Sequence, residues 1–353
     1  MICHHCAQQA PRGAFCTFCG NSIHDAAAND RQQHFAAHPG EHVAQPSVFT
    51  TLLPHAHPAR LHEFRLALVG GLVIVLGLAA TGFIAGALLA SAILVPALYV
   101  VYMYEHRVFG DAPVIPLVGT ILGGAILGAA VMLIAQQTVG EIYPYLVFPV
   151  VLLGVVIPLI QIPLVAFPAL LLSRKIPAGA INLLSAGVCS GLGYAAGEGI
   201  ARFVGVFPVL SVRSTAAGWT YALVSSAVLL PLFHAACGGV LVIALRKRLR
   251  GPARRLQIGA VVLVAASEIA YYAGAMALAN QGAGNTLVGI YQAMVAVAVL
   301  IVIRFLVHHA MLSENTDLTL RPQVCHHCGY NADFAGFCPH CGAASRIAAL
   351  GVA

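Results

Sequence analysis

Residues 185–203 read SAGVCSGLGYAAGEGIARF. The stretch is apolar and long enough to form most of a membrane-crossing helix, yet it carries a carboxylate, Glu198. Gly187 and Gly191, then Gly193 and Gly197, repeat at small-xxx-small spacing, which lets a neighbouring helix approach to backbone contact. Ser190, Tyr194 and Glu198 recur every four residues and so share one helix face. An ionisable group in hydrocarbon is costly and normally turns to the bundle interior. The spacing therefore predicts an inward-facing, glycine-lined helix of a multi-helix bundle.

The surrounding chain agrees. Hydrophobic residues make up 59% and charged residues 8% of 353 residues, against about 25% charged in a soluble domain. The expected class is an all-α polytopic membrane protein with about eight transmembrane helices, at roughly 66–84, 87–104, 113–135, 145–172, 177–201, 219–245, 256–279 and 285–307. The first two share one apolar run, with a turn expected near Thr81 to Gly86; one long tilted helix is the alternative and would give seven. Basic residues collect in cytoplasmic loops. With eight crossings, Arg60, Arg65, Arg107, Arg174, Lys175, the run RKRLRGPARR (246–255), Arg321 and Arg346 share one side. Only Arg202 and Arg213 fall opposite. Both termini are expected in the cytoplasm, in a cell-membrane protein without a secretory leader. The formal net charge of +6 suits anionic lipid, and no nucleic-acid partner is expected.

Three further groups stand inside the apolar segments. His234 follows Pro231 in LLPLFHAACGGVLVIAL (229–245), where the proline frees backbone carbonyls and makes room for a polar side chain. Glu268 stands in ASEIAYYAG (266–274), with Tyr272 one turn on as an expected hydrogen-bond partner. Arg304 lies near a helix end and is expected to snorkel outward. Span five beginning near Pro177 would put Glu198 ~30 Å along it, while His234 would lie ~20 Å from Trp219. On those boundaries the two meet only if the helices tilt or start later.

The chain ends repeat each other. Residues 1–20 read MICHHCAQQAPRGAFCTFCG and 325–342 read CHHCGYNADFAGFCPHCG. Each holds two C-x-x-C pairs: Cys3, Cys6, Cys16, Cys19 and Cys325, Cys328, Cys338, Cys341. Four thiolates close a tetrahedral zinc site, and modules this small need such a staple to fold. Two structural zinc ions are expected. Disulfides would require an oxidising compartment, which the topology opposes. The expected organisation is a zinc ribbon at 1–22, a flexible His-rich linker at 23–64, the membrane domain at 65–309, a linker at 310–322 and a second ribbon at 323–345. The two ribbons either pair with each other or act as independent tethered knobs.

The cysteine modules resemble the short zinc ribbons often found as double zinc ribbons. The segment SRKIPAGAINLLSAGVCSGLGYAAGEGI (173–200), followed by FHAACGG, resembles the PrsW-type intramembrane proteases, relatives of the CAAX-processing membrane proteins. YMYEHRVFGDAPVIPLVGTILGGAILG (102–128) is similar to that family's early loop and glycine-rich span. The resemblance covers roughly residues 66–280 and implies a peptidase site at Glu198 and His234, in which a carboxylate activates water and histidine stabilises charge; Glu268 is a further candidate from its own place in an apolar segment. Three departures stand against it, the first being SEIAYY (267–272) near the place where many members carry a further histidine. Gly199 replaces the family's asparagine, and VVIPLIQIPLVAF (155–167) carries Gln161 where the family has paired glutamates. The expected function is a non-catalytic relative in membrane-protein binding, signalling or assembly. The alternatives are an active peptidase and a transporter passing protons or ions along Glu198, His234 and Glu268.

Overall fold

The computed structural model describes residues 1–3, 9–18, 23, 62–106, 114–142, 150–172, 180–204, 216–246, 252–315, 320–325 and 328–342. The long apolar run at its start divides in two. Helix α1 (His62–Ala80) ends at Thr81 and Gly82, and α2 (Ile84–His106) begins after Phe83. Gly82 adopts φ +79°, a conformation that L side chains rarely take, and the Phe83 N–H donates back to the Leu78 carbonyl. The turn falls within the stretch expected from sequence.

Six more helices follow: α3 (Val114–Ile142), α4 (Leu152–Leu172), α5 (Ala180–Val204), α6 (216–246), α7 (252–280) and α8 (Asn285–Asn315). Among the described residues, seven of these eight helices are long and apolar enough to cross a membrane, as a multi-pass membrane protein requires; α5, which carries Asn182, Glu198 and Arg202, is not one of the seven. Their outer faces carry exposed Leu66, Val69, Ile115, Ile126, Ile258 and Ile290, the inverse of a soluble surface.

Helix α5 is the axis of the bundle, with every residue from 182 to 199 buried. Its two glycine stripes serve two different helices. A Cβ on Gly187 or Gly191 would run into the α6 backbone at Gly238 or His234, and one on Gly193 or Gly197 into the α3 backbone at Ile121 or Ala125. Helix α3 answers with Gly124 and Gly128 against the backbone of Ser190 and Tyr194. The paired positions show that α5 runs parallel to α3 and antiparallel to α6. Bilayer tails are as apolar as leucine, so close packing rather than the hydrophobic effect holds such helices together.

Three helices contain a π-helical turn: Leu152–Val156 in α4, Ser225–Leu229 in α6 and Ala270–Gly274 in α7. The first two directly precede Pro158 and Pro231, which lack the N–H that a regular helix needs. The third packs on the first, with Ala273 against Gly154, and the Tyr291 hydroxyl donates to the Ala270 carbonyl at 2.9 Å.

Several boundaries differ from expectation. Helix α8 continues to Asn315 and β1 (Arg321–Val324) opens six residues later, so most of the linker expected at 310–322 is regular structure. The sequence MLSEN holds neither glycine nor proline to stop a helix. Likewise α1 starts at His62 and α3 runs to Ile142. The rest of the 23–64 linker, apart from Ile23, lies outside the described residues.

Strand β1 pairs antiparallel with β2 (Asn331–Phe334), Val324 opposite Asn331. The N-terminal module repeats one pairing of this hairpin at a constant offset. Ile2 bridges Gln9, and 324 − 2 equals 331 − 9, as 338 − 16 does for the cysteines.

Candidate functional site: a buried carboxylate–histidine cluster and a four-cysteine group

Glu198, His234 and Glu268 come together at the centre of the bundle, on α5, α6 and α7. Their exposures are 1%, 0% and 0%. His234 Nε2 lies 3.1 Å from Glu198 Oε2, and Nδ1 lies 3.6 Å from Glu268 Oε1. The separation in depth estimated from sequence is closed by side-chain direction. The register of Gly191 against His234, and of Gly187 against Gly238, places residue 227 level with Glu198 on antiparallel α6. His234 is seven residues further on, about 10 Å along the axis. Side chains on a helix lean toward its N-terminus, so on antiparallel neighbours these two lean toward each other.

Glu198 is fully engaged. Its Oε1 accepts from the Arg202 guanidinium at 2.5 Å and from the Tyr272 hydroxyl at 2.9 Å. Its Oε2 faces the same hydroxyl at 2.9 Å and the imidazole at 3.1 Å. Tyr272 thus bridges to Glu198 and sits 3.1 Å from His234 Nε2; it does not bind Glu268, the partner expected from their one-turn spacing. The π-helical turn contains Tyr272 and breaks the regular spacing from Glu268. Neither Glu268 oxygen nor His234 Nδ1 is within hydrogen-bond geometry of a partner, while the Cys237 thiol and the imidazole are the groups that face Glu268. Aromatic walls hold the imidazole: Tyr194 at 5.1 Å and Phe233 at 5.4 Å between ring centroids. Phe233 in turn stacks on Tyr271 at 4.3 Å.

With two carboxylates, one guanidinium and one imidazole, the cluster is neutral when the ring carries both protons and can donate toward both acids. That balance lets ionic groups persist in an apolar interior. Arg202 is the member sequence reasoning passed over, and Tyr272 was expected on Glu268 instead of Glu198. The i, i+4 spacing from Glu198 marks Arg202; Tyr272 needed the π-helical turn. Gln161, on α4, is buried. Arg304 is also buried, at 2% exposure, instead of reaching outward.

At the C-terminal end, Cys325, Cys328, Cys338 and Cys341 place all four Sγ atoms within 4.8 Å of one another. Cys325 and Cys341 are 3.7 Å apart, and Cys328 and Cys338 3.8 Å. These are not disulfide lengths. Thiolates at ~2.3 Å from a tetrahedral zinc ion stand ~3.8 Å apart, so the group could hold zinc. Gly342, at φ +73°, closes the second knuckle, its N–H donating to the Cys338 carbonyl at 2.9 Å. Burial is the main cause raising the Cys338 thiol above its ordinary value, so an arriving metal has a proton to displace. In the N-terminal module Cys3 and Cys16 are buried; Cys6 and Cys19 lie outside the described residues.

Residues of the two modules are hydrogen-bonded to each other. The Phe15 N–H donates to the Pro339 carbonyl at 3.1 Å, and the Gly336 and Phe337 N–H groups donate to the Thr17 carbonyl at 2.9 and 3.0 Å.

Neither a family model, nor a curated protein, nor a solved structure matches this chain.

Proposed function

We propose that the chain is an eight-crossing membrane protein of PrsW-like design whose central cluster holds the bundle together and does not hydrolyse peptides. Its role is to bind or assemble a membrane-protein partner, with paired zinc ribbons as the cytosolic docking element. The observation that carries the non-catalytic part is the saturation of Glu198. Each of its oxygens already faces two groups of its own chain. A general base must have an oxygen within reach of the water it deprotonates.

The eighth crossing is α5, which lies alongside α3 and antiparallel to α6, both long and apolar enough to cross. The basic loops favour cytosolic termini. Two zinc ions per chain are supported by the four clustered thiols at one end and by the matching hairpin register at the other.

Glu268 supports a second function, an intramembrane peptidase. Its Oε1 and the His234 Nδ1 stand 3.6 Å apart, neither in a hydrogen bond, an acid–imidazole pair that could activate a water.

The test is cleavage of a panel of fluorogenic transmembrane peptides by the full chain in proteoliposomes, beside Glu198→Gln, Glu268→Gln and His234→Ala. No cleavage by the wild type, with Glu198→Gln lowering stability, is the expected result. Wild-type cleavage that Glu268→Gln abolishes without loss of stability would establish the peptidase.

A further inference from the structure

The contact between the two cysteine modules is reciprocal. Phe15 and Phe337 are equivalent in the internal repeat, and so are Thr17 and Pro339, since 337 − 15 and 339 − 17 both equal 322. Phe15 N–H donates to the carbonyl of 339, and Phe337 N–H donates to the carbonyl of 17. Residue i of one module thus meets residue j of the other and the converse holds, the pattern of a two-fold interface. Such a face invites self-pairing: the C-terminal modules of two copies could present the same atoms to each other.

Two positions break the equivalence. Gly13 corresponds to Ala335, and Thr17 to Pro339. A Cβ placed on Gly13 would lie 2.6 Å from both the Cβ and the carbonyl oxygen of Pro339. Gly13 does not have a positive φ, so this contact is what alanine would violate there. At the equivalent place the chain carries a methyl group, that of the buried Ala335, and the Ala335 N–H donates to Thr17 Oγ1 at 2.7 Å. The interface therefore matches glycine with proline on one side and alanine with threonine on the other. Pairing two C-terminal modules would set Ala335 of one copy against Pro339 of the next, the combination that the Gly13 contact forbids.

We infer that Gly13, Thr17, Ala335 and Pro339 form a specificity code that directs the C-terminal ribbon to the N-terminal ribbon and away from its own copies. Specificity of this kind rests on a built-in clash with the wrong partner as much as on contacts to the right one. The partner is supplied by the same chain, whose tether raises its effective concentration above that of other copies. The contacts stand independently of what the membrane domain does.

The test places two dyes on the full-length chain in zinc-supplemented nanodiscs, at the exposed positions Ile2 and Asp333. Energy transfer between them reports pairing, and zinc content is measured on each sample. The wild type should show transfer, and Gly13→Ala should lose it. The double variant Gly13→Ala with Pro339→Thr should recover it, because it recreates on one side the alanine–threonine match already present on the other. Transfer retained in Gly13→Ala, or a double variant that stays as low as the single one, overturns the code. Transfer in a mixture of singly labelled chains would overturn pairing within one chain. If Gly13→Ala fails to fold, recovery of both zinc and transfer in the double variant still carries the proposal.

Discussion

Gly191→Ala tests how packing sets the chemistry of the central cluster. A Cβ at residue 191 would lie 2.8 Å from the Ala235 nitrogen and closer still to the His234 carbonyl. Both are backbone atoms, so no side chain can swing aside. The His234 carbonyl carbon would stand 2.5 Å away, so reaching ordinary contact at 3.4 Å requires α6 to retreat by about 0.9 Å at the least, and overpacking of this kind costs about 1–3 kcal/mol. The displaced residue is His234. Adding about 0.9 Å to its 3.1 Å approach to Glu198 takes the pair past the hydrogen-bond limit, at a further cost of about 1.5–3 kcal/mol for a bond to a charged group. The expected loss is about 2.5–6 kcal/mol, measured by SDS-driven unfolding of protein refolded in bicelles. The matched control is Gly77→Ala on α1, where a Cβ meets nothing within 4 Å. It should be neutral or stabilising by about 0.5–1 kcal/mol, the usual gain of alanine over glycine inside a helix. Equal stability of Gly191→Ala and wild type would refute the link between the glycine stripe and the cluster.

Other substitutions probe the remaining features. Arg202→Met should destabilise by about 3–5 kcal/mol, because it leaves Glu198 buried without its guanidinium, and Glu198→Gln combined with it should recover part of that loss in the same unfolding assay. Tyr272→Phe removes a donor that serves both Glu198 oxygens and should cost about 1–3 kcal/mol. Cys338→Ser should remove one zinc per chain by elemental analysis and leave the membrane helices intact by circular dichroism. A cysteine introduced within 246–255 should be labelled only from the cytosolic face in oriented vesicles; labelling from outside would invert the proposed topology.

The bundle was legible because its signals are local. Two glycine stripes on α5 follow from spacing alone, and each found a helix. The turn at Gly82 and the polar identities of Glu198, His234 and Glu268 could likewise be read from the chain. Their convergence could not. It depends on the register between α5 and α6, which is set by which glycine meets which backbone, and on the π-helical turn that carries Tyr272 to Glu198 instead of Glu268. Arg304 illustrates the same limit: its place along a helix is written in the sequence, but the face that neighbours cover is not.

The bonds between 15–17 and 335–339 have a consequence for the order of synthesis. Thr17 and Ala335 are 318 residues apart, so the first module leaves the ribosome long before its match exists. At about 5–20 residues per second, the wait is roughly 15–60 s, during which every helix between them must be inserted. Joining the two ends is then the last long-range event in maturation. A chain that stalls, or is cut short, keeps its amino-terminal knuckle bare, which gives the cell a visible difference between a finished copy and an unfinished one.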